Sequence, residues 1–515
     1  MHYFCKSLFF VSIFFLFSCA SSHRKLDATG KPDHLVMIVF DSLRPDFIDK
    51  FDMPNLRKLR DRSRNYSQAY VGYIGAETVV SHLVLSTGLL PKNLPYQDDI
   101  YFDKKELLGK EKGFYNSGGL NFEQLVTLMK TLPDKQFLPQ RLKDQTGGSV
   151  FSIAQKNYAA MVLGTPAADS VITLKKADGK CLPDGINVPK YISHAEGLRF
   201  NLDCSKKYGT EKTSYAYDGA RFVPGDDPKH IGGDRWVTDV AKAVMNNEKN
   251  WRGLFLSYGA IDKVSHMLGE HDGKRPKEVE GVKTEYNLEK IAKLADEQIG
   301  ILLGELEKYK LSDRTLIVVT SDHGGQPNYQ YLGNGQTAKW GKLLNDSSKP
   351  APKWVSHFSE GGEVELSLQD SAIRVWLKPN SDERKVIERM RTVPGITEIY
   401  QLSGGDGKWK YAKQFSNPKK QSASFEKWAE AHNTELLNAY ATETAPNIVG
   451  LLEDNTGFDL IGDHGGAQEK VQRIPLIIYE PGQRATIDRT PTKLYEVGGI
   501  VSKAMDLATP NEIRE

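Results

Sequence analysis

Four short apolar runs, at 35–40, 253–258, 315–320 and 474–479, constrain this chain more than any other feature. A strand that is apolar at nearly every position must be covered on both faces, which is the condition of a parallel sheet rather than of a one-sided antiparallel one. Between the runs lie amphipathic stretches read as helical, at 54–62, 149–156, 235–246 and 287–308. The alternation predicts an α/β fold: a doubly wound, mostly parallel sheet with helices on both faces. Ligands of such sheets bind beyond the carboxyl ends of the strands.

Two regions break the rhythm. Residues 165–232, rich in Gly, Pro, Asp and Lys, read as an irregular excursion, and residues 326–445 carry a small α/β pattern of their own, read as an inserted subdomain. Segments 34–325 and 446–515 then form one main domain, with the strand rhythm resuming at Asp459. The 515 residues carry 68 Lys+Arg against 66 Asp+Glu, a net charge of +2. So balanced a charge offers no basic face for nucleic acid, and no nucleic-acid binding is expected.

Residues 1–18 have a charged start and an apolar run too short to span a bilayer, which reads as an export signal. Leu16-Phe17-Ser18-Cys19 resembles a bacterial lipobox, so Cys19 is the expected lipidation site and 19–33 a polar tether. The expected location is the cell envelope, as an outer-membrane lipoprotein or a periplasmic or secreted protein, with membrane contact only through the lipid anchor. Cys181 and Cys204 are the cysteines left in the folded part, and in an oxidising compartment they read as a disulfide.

Several strand ends deliver Asp or His. Asp41 follows the first run; Asp262 and His266, spaced i, i+4, follow the second; Asp322 and His323 end the third; His464 follows a short strand at Asp459. Alone, each reads as a turn or cap residue, and Asp-His-Gly-Gly, found at 322–325 and 463–466, reads as a tight turn. A parallel sheet brings such ends together, and Asp and His in one crevice suit a divalent metal. Thr78 opens a helix, where free backbone N–H groups favour an anion, although it also reads as a plain N-terminal residue. His230, His271, His357 and His432 sit in polar stretches and read as surface residues.

The order Asp41, Thr78, Asp262-x3-His266, Asp322-His323-Gly324 and His464-Gly465 resembles the alkaline phosphatase superfamily, in its type I phosphodiesterase/nucleotide pyrophosphatase branch. The resemblance runs from residue 34 to about 505, and Thr392-Val393-Pro394-Gly395-Ile396 is similar to a turn of that branch. It implies an alkaline phosphatase-like fold and a secreted phosphoester hydrolase. It also implies Thr78 as nucleophile, touching metal, and a covalent phosphothreonine. One zinc is then held by Asp41, Asp322 and His323 and a second by Asp262, His266 and His464, other divalent metals being possible. The implied substrate is a small phosphate ester or a nucleotide.

Three positions depart from the pattern. Ser42 stands where the family has Gly after the Asp. Asp99 falls where the branch has an Asn that donates to a phosphoryl oxygen; it is either protonated, turned away or on a further cation. Related monoesterases carry Lys-x-Arg where this chain has Lys156 and Tyr158. Lys156 reads either as a substrate-binding cation or as a solvated helix-end residue. Diesters and pyrophosphates lead, with a phosphomonoesterase, an envelope phosphoryl-alcohol transferase, or a non-catalytic envelope protein keeping the metal site as alternatives.

Overall fold

The computed structural model describes residues 30–508, except 110–111, 178–179, 196–197, 199, 204–232, 269–277, 280–281, 284–287, 329, 332–337, 340–358, 420 and 459–461. Among the described residues a ten-stranded sheet runs from edge to edge as Thr486–Asp488, Arg64–Tyr66, Leu476–Tyr479, Thr315–Thr320, His34–Phe40, Trp251–Tyr258, Ser149–Ala154, Ser170–Ala177, Lys180–Ile186 and Phe200–Asp203. The five neighbours from Thr315–Thr320 to Ser170–Ala177 are parallel.

Burial explains the order. Every residue of His34–Phe40 is buried. Its Leu35, Met37 and Val39 enter one apolar cluster, with the helices Thr78–Thr87, Asn157–Gly164 and Val497–Met505. Its Val36, Ile38 and Phe40 enter the other, with Pro54–Arg60, Asp234–Asn247 and Leu288–Lys308. Each such side chain contributes about 1.5–3 kcal/mol by leaving water, and only a central strand can place both sets. The fold is thus the mixed α/β, mostly parallel sheet expected, covered on both sides.

Register positions the site. Val39 lies opposite Thr320, Phe40 opposite Tyr258, and Ala154 opposite Ser257. Four parallel strands therefore end level, and the residues that follow them open into one crevice.

Several expectations are corrected. Residues 149–156 form no helix: Ser149–Ala154 is a buried central strand, and the helix starts at Asn157. A run this short does not distinguish the two by periodicity, and burial on both faces decides for strand. The strand Leu476–Tyr479 pairs antiparallel with Thr315–Thr320, because the chain returns to it from the crevice end. The described part of 165–232 is not irregular, since Ser170–Ala177, Lys180–Ile186 and Phe200–Asp203 extend the sheet toward one edge. Asp459, Cys19 and Cys204 lie outside the described residues, as do the expected signal and the tether up to residue 29. No helix among the described residues is long and apolar enough to cross a membrane.

A second sheet, all antiparallel, is ordered Val364–Gln369, Ala372–Leu377, Ile448–Leu452, Ile396–Gly405 and Lys408–Ser416, with the helices Glu383–Met390 and Ala423–Asn438. Its middle strand, Ile448–Leu452, lies beyond the boundary expected at 445, so this module extends at least to 452.

Candidate metal centre

Asp41 follows His34–Phe40, Asp322 and His323 follow Thr315–Thr320, and Lys156 follows Ser149–Ala154. Asp262 and His266 share one face of the helix Ala260–Leu268, which leaves the end of Trp251–Tyr258. His464 comes from elsewhere. It follows the two-residue strand Gly462–Asp463, which pairs with Gln326–Pro327 in a separate ribbon rather than in the central sheet. All six Asp and His residues are buried.

Three histidines show one pattern. Each turns Nδ1 toward a protein oxygen: His323 lies 2.9 Å from the Gly324 carbonyl and 3.2 Å from Ser42 Oγ, and His266 lies 2.8 Å from the Gly462 carbonyl. His464 Nδ1 stands 3.0 Å from Glu77 Oε2. Each then turns Nε2 toward carboxylates. His323 Nε2 is 3.5 Å from Asp41 Oδ1 and 3.6 Å from Asp322 Oδ2. His266 Nε2 is 3.0 Å, and His464 Nε2 3.6 Å, from Asp262 Oδ1. Imidazoles oriented through one nitrogen by a protein acceptor, with the other nitrogen presented, are the usual surroundings of a metal.

The first set carries a sharper sign. Asp41 Oδ1, Asp322 Oδ2 and His323 Nε2 are buried without a hydrogen-bond partner, and they face one another within 4.8 Å. Buried polar atoms are seldom left so, and two carboxylate oxygens and a ring nitrogen converging on one point fit a divalent cation. Burial and the neighbouring Asp41 push the Asp322 carboxyl well above the usual range, which an unscreened pair of carboxylates requires. Burial, then His464, lowers His323 to about 3, keeping its ring neutral, as a ligand must be.

Thr78 adjoins the first set. It begins the helix Thr78–Thr87, after Glu77 in an extended conformation, and its Oγ1 lies 3.3 Å from Asp41 Oδ2. Lys156 is no solvated helix end. Its side chain is 9% exposed, and Nζ donates to Asp41 Oδ2, to Asp262 Oδ2 at 2.7 Å and to Thr78 Oγ1 at 3.4 Å. It takes the Oδ2 atom of each carboxylate and leaves the Oδ1 atoms to the histidines. Against burial, Asp262 and Asp41 hold Lys156 well above its ordinary pKa, so it stays charged.

A family model for type I phosphodiesterase / nucleotide pyrophosphatase matches residues 35–466. The chain belongs to that family. Solved structures share its fold. Wild-type alkaline phosphatase PafA, at 10% identity, superposes with a TM-score of 0.62 over 93% of this chain and 96% of that one. An inactive murine ectonucleotide pyrophosphatase / phosphodiesterase 5 in complex with AMP, at 13% identity, gives 0.53 over 92% and 96%. The human counterpart, also at 13%, gives 0.54 over the same shares. At these identities the likeness is one of fold. No curated protein sequence matches the chain.

Some residues around the crevice are given no role by the motif reading. Ser42 is in the left-handed region at φ 64°, which accounts for Gly in the family pattern. In exchange, its Oγ donates to Asp262 Oδ1 at 2.9 Å while its amide reaches Asp322 Oδ1 at 3.2 Å, tying both sets together. Ser42→Ala keeps the backbone strain and loses the hydroxyl, so affinity for a divalent metal and kcat/KM are expected to fall about tenfold, read by chelator competition and steady-state kinetics. Asp463 clusters with His266 and His464. His82, within the Thr78 helix, spends both ring nitrogens on Thr78 O and Ser257 Oγ, at 2.8 and 2.9 Å.

The two Asp-His-Gly-Gly turns differ. Gly465 has φ +83°, but Gly324 has no positive φ and is required by close approach, since a Cβ there would meet the Lys470 carbonyl at 2.2 Å. Asp99 is half-buried next to Asp98, with Oδ1 3.4 Å from the Ser117 hydroxyl. His432 is not a free surface residue, because its ring lies on Trp428 with 3.9 Å between centroids. His230, His271 and His357 lie outside the described residues.

Proposed function

We propose that this family member is a zinc-dependent phosphodiesterase or nucleotide pyrophosphatase of the cell envelope, attached by lipid at Cys19, with Thr78 as nucleophile. The observation that carries this reading is Thr78 Oγ1 at a helix N-terminus, beside Asp41 of one set and beside Lys156, which also donates to Asp262 of the other. Asp41, Asp322 and His323 are assigned to one zinc and Asp262, His266 and His464 to the other. When bound, the two ions supply Lewis acidity on both sides of a phosphoryl group. Thr78 Oγ1, its proton lost to solvent, attacks phosphorus in line, and the P–O bond to the leaving group breaks; water later cleaves the covalent adduct, a phosphothreonine that on a diester still carries the second ester group, and restores the hydroxyl. The free N–H groups at the start of the helix and the Lys156 ammonium meet the charge on the phosphoryl oxygens.

Lys156 is a single cation, and Tyr158 follows where monoesterases carry Arg, so the reading favours the lower charge of a diester. With the zinc-loaded protein, an aryl phosphodiester is expected to be hydrolysed faster than the matching monoester, and Thr78→Ala to lose both activities. A monoester preference shows that Lys156 suffices for a dianion and moves the enzyme to the phosphatase side.

Asp99 gives this activity a pH limit. Burial, then the charges of Glu77 and Asp98, push its carboxyl up to about 8. Below that pH it is a neutral donor, as Asn is; above it, an anion facing an anionic substrate. Wild-type kcat/KM is therefore expected to drop roughly fivefold from about pH 8 to pH 9, and Asp99→Asn to remove that decline, in paired pH–rate profiles.

A further inference from the structure

We propose that Arg374, carried by the small five-stranded module, is a positioning residue of the metal centre: its guanidinium holds Glu77 against the ring of His464. The inference rests on the two-zinc reading above and adds a residue that no motif contains.

Arg374 lies in the strand Ala372–Leu377, opposite Val449, and is fully buried. Nη2 pairs with Asp370 and stands 3.6 Å from Glu77 Oε1, while Nη1 stands 3.3 Å from Asp98 Oδ2. Asp98 also accepts from the Tyr440 hydroxyl. One guanidinium thus gathers three carboxylates from three parts of the chain. A planar fork can do this with fixed geometry, and a lysine ammonium cannot.

Glu77 divides its two oxygens. Oε1 faces Arg374, and Oε2 lies 3.0 Å from His464 Nδ1. Although Glu77 precedes the first residue of the Thr78 helix, its side chain caps no backbone N–H. It is committed to His464, fixing the tautomer that presents Nε2 toward Asp262 and His266, 3.1 Å away. The backbone is pared down around this group. A Cβ on Gly465 would meet Glu77 Oε1 and Asp370 Oδ2, each at 2.6 Å, and one on Gly75 would meet Arg374 Nη1 at 3.1 Å. The module grips His464 a second time, through the Ser371 amide donating to its carbonyl at 3.1 Å.

A network kept only for stability needs no charge, since apolar replacements of buried ion pairs are often as stable. A network that orients a ligand acts on one metal and not on the other. That difference decides the test. Zinc is titrated into the full-length protein in competition with a chromophoric chelator, for wild type, Glu77→Gln and Arg374→Lys. Wild type is expected to bind two equivalents. Both variants are expected to weaken one equivalent by about 10–100-fold and leave the other at its wild-type affinity, with Arg374→Lys the milder. Two equivalents at wild-type affinity in both variants, or equal weakening of both equivalents, overturns the inference and leaves the metal reading standing. If Arg374→Lys does not fold, Glu77→Gln, which keeps the shape and loses the charge, decides alone. A wild-type protein that takes up no zinc overturns the two-zinc reading and the inference with it.

Discussion

Replacing Thr78 by alanine is expected to lower phosphoester hydrolysis by on the order of 10⁴-fold or more, a loss of the size seen when a covalent nucleophile is removed. The fold is expected to survive. The Thr78 hydroxyl makes only two long contacts, at 3.3 Å to Asp41 and 3.4 Å to Lys156, whose loss costs no more than about 1 kcal/mol. A thermal melt within about 2 °C of wild type, beside the rate loss, separates chemistry from damage. Thr78→Ser keeps the attacking oxygen and is expected to retain much of the rate. Unchanged turnover in Thr78→Ala would take the nucleophile's role from Thr78, and no turnover in either protein would favour an envelope protein that keeps the centre for structure alone.

Stripping divalent metal with a chelator is expected to abolish turnover and to lower the melting temperature by about 5–10 °C, with zinc restoring both. The charges explain the size of the effect. Asp41, Asp262 and Asp322 are fully or almost fully buried, and Lys156, the ammonium among them, pairs with Asp41 and Asp262 but not with Asp322. Without a divalent ion the Asp41 and Asp322 oxygens that face His323 keep no partner. An ion bound at a thousand times its Kd contributes about 4 kcal/mol to stability. Equal melting curves and equal rates with and without chelator, on protein shown to be metal-free, would contradict the assignment.

The parts of this molecule that were legible in its sequence share one physical cause. Asp41, Asp262 and Asp322 follow strands that are apolar throughout, and continuous apolarity places a strand in the middle of a parallel sheet, where strand ends converge. His464 was found by its motif, while its actual carrier, a two-residue ribbon at Gly462–Asp463, has no periodicity to read. Residues 149–156 read as helix because the six-residue strand Ser149–Ala154 is too short to show a period. The strands between 170 and 203 were hidden by polar composition, as in the exposed Lys175–Asp184 pair at the sheet's polar side. Arg374 left a trace that local reading passes over, a lone cation inside the apolar strand Ala372–Leu377. Its partners come from positions 77, 98 and 370, so what it does exists only once the two sheets meet.

The most direct measurement of the central claim is a search for phosphate on Thr78. Zinc-loaded protein is mixed with an aryl phosphate monoester, quenched in acid during turnover, digested, and analysed by mass spectrometry. A Thr78-containing peptide heavier by one phosphoryl group, absent from Thr78→Ala and lost on a chase in substrate-free buffer before quenching, is the predicted result. Turnover at a normal rate with that peptide unmodified at every quench time, or with the phosphoryl group on another residue, would contradict it.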